Sequence, residues 1–253
     1  MPIKEIFPNP TVKQVIFQIT FTDLFSIENK IGDIQLKIME EFPESAFLVR
    51  RNLVFADAGS EFKLDDIPEN LRPETTRKIW QFKSPKGFKL NIQTNSLDIT
   101  SEYHKTYNNE NGAKFRDTIE LALKNFFGIV GLQRVNRLGL RYIDECPATS
   151  KDNSAYKSYY NTSFPLDRFN ISQAIEMHFH TVIKKGEYFL RFVEDFKETQ
   201  KGLVMTLDFD GFAANVAAQE CLDVTDNIHE FISEEYQATI REPVKEFMRR
   251  KVS

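Results

Sequence analysis

Cysteine is scarce in this chain: two copies in 253 residues, Cys146 and Cys221. They form neither a CxxC pair nor a metal-ligand spacing. That argues against a secreted disulfide framework, and reduced thiols in a cytoplasmic protein are the expectation. Long apolar runs are also missing. The best candidate, residues 211–218, contains Asn215 and falls far short of the roughly 20 residues a spanning helix needs. No membrane partner is expected. Met1-Pro2-Ile3-Lys4-Glu5 carries no apolar stretch, so no signal peptide is expected either. Short catalytic motifs are absent as well. There is no GxSxG, no GxxxxGKS/T, no GxGxxG after a strand and no HExxH. The motif-bearing hydrolases, P-loop NTPases, Rossmann enzymes and zincins are thereby removed. No catalytic residue and no cofactor is assigned, and the reading leans away from an enzyme. A basic excess is missing too. The formal charge is -4, so nucleic acid is not the favoured partner.

What is present is an ordinary globular composition with much phenylalanine: 23 Phe against 8 Tyr and one Trp, Trp80. Phe has no polar handle, so most of these rings are expected in a core. Residues 12–21 alternate, with Val15, Phe17, Ile19 and Phe21 on one face of a strand. Ile27, Ile31, Ile34, Ile38 and Phe42 then make a helical stripe, with Ser26 as N-cap and Pro43 beyond its end. A short strand is expected at residues 47–55 and a loop at 57–74. Residues 76–83 and 88–100 read as a hairpin around Ser84-Pro85-Lys86-Gly87.

A second helix carries Phe115, Ile119, Ala122 and Phe126 and stops at Gly128 or Gly131. Residues 135–143 form a strand, and 146–168 a polar connection. Residues 171–183, 188–196 and 203–212 read as a meander with turns at Lys185-Gly186 and Lys201-Gly202. A last helix starts near Asp223 or Thr225 and should be interrupted at Pro243. The fold class is therefore α+β: mostly antiparallel sheets with three main helices on one face. Residues 1–145 and 146–253 are the two halves of what reads as one compact unit. A hairpin followed by a helix occurs in both, the order two similar halves would give.

Three groups of residues could carry chemistry. Glu176, His178 and His180 share one face of a strand, and Asp208 and Asp210 share a face two strands along. Brought together, His178, His180, Asp208 and Asp210 could ligate Zn²⁺, Mn²⁺ or Fe²⁺. The plainer reading is that these are simply the wet faces of half-buried strands. Arg137 and Arg141 flank Gly139, and the bare backbone between two guanidiniums could receive a phosphate or carboxylate. Against this, arginines commonly pair with acids or lie along a sheet. Lys78, Lys83, Lys86 and Lys89 interleave with Trp80, Phe82 and Phe88, as in single-strand nucleic-acid binders, but a half-buried hairpin looks the same.

The segment Arg134-Val135-Asn136-Arg137-Leu138-Gly139-Leu140-Arg141-Tyr142-Ile143-Asp144 resembles a sporadically distributed bacterial and archaeal family of uncharacterised conserved proteins. The similarity extends to the entry strand from Asn9, the aromatic hairpin from Trp80 and the late strand before the last helix. The family commonly has Asn where this chain has Asp144. Its patchy distribution implies a prokaryotic defence or toxin–antitoxin setting. The expected function is thus a non-enzymatic binding or interaction protein with a protein partner, accessory or antitoxin-like. The alternative is a metal-dependent hydrolase or nuclease using His178, His180, Asp208 and Asp210.

Overall fold

The computed structural model describes residues 7–51, 76–109, 112–147, 150–199 and 202–250. Val15, Phe17 and Ile19 of β1 (Val12–Thr20) are all but inaccessible, as the alternation requires. The following stripe is helical only in part. Residues Phe25–Lys30 form a 3-10 segment and α1 (Ile31–Ile38) begins after it, so Ser26 is not its N-cap. Then come β2 (Glu44–Arg51), β3 (Thr76–Lys83), β4 (Phe88–Ile92) and β5 (Ser96–Ser101). The strand expected over residues 88–100 is thus two strands. The chain reverses at Gln93-Thr94-Asn95, where the Gln93 N–H donates to the Ser96 carbonyl at 2.8 Å. The loop expected at 57–74, the end of the strand expected to reach Phe55, and Lys201 of the second turn lie outside the described residues.

Helix α2 (Phe115–Val130) ends at Gly131, whose φ of 77° is the left-handed cap geometry that favours glycine. Next come β6 (Arg134–Cys146), α3 (Asn153–Tyr159), β7 (Glu176–Lys185), β8 (Tyr188–Thr199) and β9 (Gly202–Ala217). The last helical stretch is broken as Pro243 demands. Helix α4 (Cys221–Thr239) stops, Ile240 and Arg241 are extended, and α5 (Glu242–Arg249) restarts with the proline in its first turn.

The nine strands among the described residues form one antiparallel sheet in the order β2-β3-β4-β5-β1-β6-β9-β8-β7. β1 and β6 lie side by side at its centre. Each is flanked by the last strand of its own meander, β5 and β9. One face is buried beneath the helices. Phe21 meets Phe126 of α2 at 5.4 Å, and Phe209 meets Tyr236 of α4 at 5.9 Å. Gly211 lies directly under α4, where a Cβ would stand 2.6 Å from Ile228 Cγ2. No described helix covers the opposite face, and among the described residues no helix is long and apolar enough to cross a membrane.

Candidate functional site

Strand alternation sends Leu138, Leu140 and Tyr142 into the core and Arg137, Gly139 and Arg141 onto the uncovered face. Both arginines are matched to acids of β9. Arg137 Nη2 donates to Asp210 at 2.8 and 3.0 Å, and Arg141 Nε donates to Asp208 at 2.8 Å. The Asp208 carboxylate raises the Arg141 pKa. Gly139 neither offers bare backbone nor sits under a helix. The Arg137 guanidinium lies across it: an added Cβ would be 2.5 Å from Nη1. The same guanidinium stacks on Phe212 at 4.7 Å, and Phe212 stacks on Phe189 at 5.2 Å. Lys184 Nζ closes the row 5.2 Å from the Phe189 ring. Pairing register explains this line, since Gly139, Phe212, Phe189 and Lys184 are direct neighbours across four strands. It is a self-satisfied row: its cations and ring faces already have partners.

His178, His180, Asp208 and Asp210 do share the uncovered face, but β8 separates the pairs. In register His178 opposes Asp195 and His180 opposes Val193, which in turn opposes Asp208. Two strand spacings are roughly 10 Å, well beyond what one ion spans. The two aspartates are engaged by arginine, and His178 Nδ1 lies 3.5 Å from Asp195. Among the described residues no group of three or more metal-ligating side chains is gathered. In the lysine hairpin, Phe82 and Phe88 are core residues, and Lys78 and Lys86 pair with Glu28 and Glu41.

The strongly perturbed titratable groups lie under the helices instead. Asp144, 2% exposed, is pushed up to about 7, chiefly by burial. Thr11 Oγ1 donates to it at 2.7 Å, and Tyr236 Oη lies 2.7 Å from the same hydroxyl. Glu194, wholly inaccessible, is raised by burial. Tyr156 Oη, Thr162 Oγ1 and the Ser163 N–H donate to it. Asp144 and Glu194 stand in one row, each opposite Leu207 of the strand between them. His104 is held down to about 4 by burial and then by Lys86. It has partners in Ser101 at 2.8 Å and Thr118 at 3.3 Å. His229, also lowered to about 4 by burial, stacks on Tyr107 at 4.1 Å. Tyr107 in turn donates to Asp226, which Arg116 grips through two nitrogens. No described buried side-chain N or O lacks a hydrogen-bond partner. Neither Asp144 nor Glu194 stands among the candidate site residues that the sequence suggests. The signal was there: each interrupts an apolar alternation, Leu138-Leu140-Tyr142-Asp144 and Leu190-Phe192-Glu194-Phe196.

The uncovered face does carry a cavity. Beside the Arg137 row is a groove of about 390 Å³ lined by Gln18, Thr20, Gln93, Asn95, Ser96 and Asn136, together with Phe21. Thr20 pairs in register with both Arg137 and Ser96, so the groove spans β5, β1 and β6 at the sheet centre. Its polar lining is uncharged: carboxamides that donate and accept, and hydroxyls that do either. No family model, curated protein or solved structure matches this chain.

Proposed function

We propose that this is a non-enzymatic interaction protein that receives a protein partner on the uncovered face of its sheet, centred on the groove lined by Gln18, Thr20, Ser96 and Asn136. The observation that carries the reading is that groove, on a sheet face that no described helix covers. Neutral carboxamides and hydroxyls complement peptide groups and polar side chains, whereas an anionic ligand would meet arginines already neutralised by Asp208 and Asp210. Asp144, His104 and His229, whose proton affinities are all strongly altered, are enclosed and hydrogen-bonded or stacked, which suits structure rather than turnover. An accessory or antitoxin-like role in prokaryotic defence is the setting for such a partner, and its support is the sequence resemblance alone.

The test is affinity capture from the native host with the wild-type chain and with Asn95→Lys/Asn136→Arg, two exposed positions on the groove. The expected result is one stoichiometric protein retained by the wild type and lost from the variant at unchanged melting temperature. Recovery of the chain alone, or capture indifferent to both substitutions, would overturn the proposal.

A further inference from the structure

Strand β7 ends the sheet, and among the described residues no backbone hydrogen bond reaches its outer side. It is ten residues long and exposed along much of its length, with Val182 49% and Ile183 38% accessible. An open edge of this length is a template for another strand unless it is blunted. Blunting devices are few: the strand has no proline, and no bulge interrupts its ten-residue register with β8. Its charges sit at opposite ends, Glu176 at the start and Lys184 and Lys185 at the finish. Lys185 turns to the helix side, where it pairs with Glu234. Glu176 and Lys184 have no ion-pair partner among the described residues.

We propose that two copies of this chain associate by antiparallel pairing of β7 with β7, about a two-fold axis that sets His180 opposite its own copy. Symmetry and alternation restrict the choice. A two-fold normal to the sheet must place some residue opposite itself, because a one-residue offset would oppose side chains of different faces. Centring on Phe179 leaves Glu176 opposite Val182, and centring on Thr181 sets Lys184 opposite His178. Centring on His180 alone sets Glu176 opposite Lys184 twice, once at each end. The same register sets Met177 opposite Ile183 on the helix side and His178 opposite Val182 on the other, covering the exposed aliphatic side chains.

Room for the partner exists at the strand's beginning. A groove of about 430 Å³ is lined by Phe164, Phe169 and Ala174 and by Glu176, Met177 and His178. Residues from both faces of β7 line it, so it opens along the edge rather than over either face. In the proposed register the partner's Lys185–Gly186 turn arrives there.

Sedimentation velocity of the full chain tests the proposal through charge reversal at two exposed sites. The wild type should form a concentration-dependent dimer. Glu176→Lys and Lys184→Glu should each weaken it about tenfold, because each sets like charges opposite one another at both ends. The double variant Glu176→Lys/Lys184→Glu should recover wild-type association, which non-specific surface damage would not. Melting temperatures of the three variants should match the wild type when all are measured at a concentration at which each is monomeric. A strictly monomeric wild type would refute the pairing. So would single variants that dimerise normally, or a double variant that stays weak. Coverage of β7 by a strand of another host protein instead of a second copy would also refute it.

Discussion

Replacing Asp144 with Asn should remove a pH dependence of stability that this one carboxyl imposes. The carboxyl lies among Thr11, Tyr142, Cys146 and Tyr236, and the charges of Asp208 and Lys105 act on it, the first raising and the second lowering its proton affinity. Its ordinary value is 3.8, and burial pushes it to about 7 in the folded protein. Well below pH 3.8 the group is protonated in both states and contributes nothing. As pH rises, the unfolded chain releases the proton first, so stability is lost across the window from 3.8 to 7 and stays lost above it. The rise from 3.8 to about 7 corresponds to about 4 kcal/mol in total, of which about 3 kcal/mol falls between pH 5 and 8. For a chain of this size that is about 6–12 °C in melting temperature. Asn keeps an oxygen to accept from Thr11 and cannot ionise. Calorimetric scans of both proteins at pH 5 and 8 isolate the effect, since Glu194, His104 and His229 cancel in the difference. The variant should gain on the wild type by that margin at pH 8. A melting-temperature difference that is the same at both pH values would falsify the assignment of a buried, proton-holding Asp144.

Gly211→Ala should destabilise by about 1–3 kcal/mol, because the new methyl meets the branched Ile228 side chain of α4 at 2.6 Å and the helix must shift; chemical denaturation measures it, and a neutral result would mean that α4 does not sit where described. Gly139→Ala should stay within about 1 kcal/mol, since only the flexible end of Arg137 has to swing aside. Glu194→Ala should lower stability by about 2–4 kcal/mol by stranding Tyr156, Thr162 and the Ser163 N–H, with Glu194→Gln milder; equal losses for the two would point to packing rather than hydrogen bonding. Cys146 and Cys221 are buried, and burial raises both thiol pKa values, that of Cys221 to about 12. Neither should react with a thiol reagent in the native protein, and both should titrate in denaturant; fast native labelling of either would contradict its placement.

Much of the fold was legible along the chain because it rests on local periodicity. The face of β1 carrying Val15, Phe17 and Ile19, the Gly131 stop of α2 and the break at Pro243 each follow from the spacing or backbone geometry of a few neighbouring residues. The start of α1 was not legible, since a 3-10 segment and an α-helix present the same apolar stripe over so short a span. Nor was the split of residues 88–100, where a three-residue turn without glycine or proline interrupts an otherwise strand-like run. Sequence also determined which faces of β6, β7 and β9 are polar, since alternation alone does that. Pairing order decided what those faces mean. It put β8 between the histidines and the aspartates, and β9 beside β6 so that Asp208 and Asp210 meet Arg141 and Arg137. It also aligned Asp144 and Glu194 in one buried row and left β7 at an open edge. Periodicity fixes the side of a strand on which a residue lies, but its neighbours across the sheet depend on contacts between segments distant in the chain, which only the assembled structure contains.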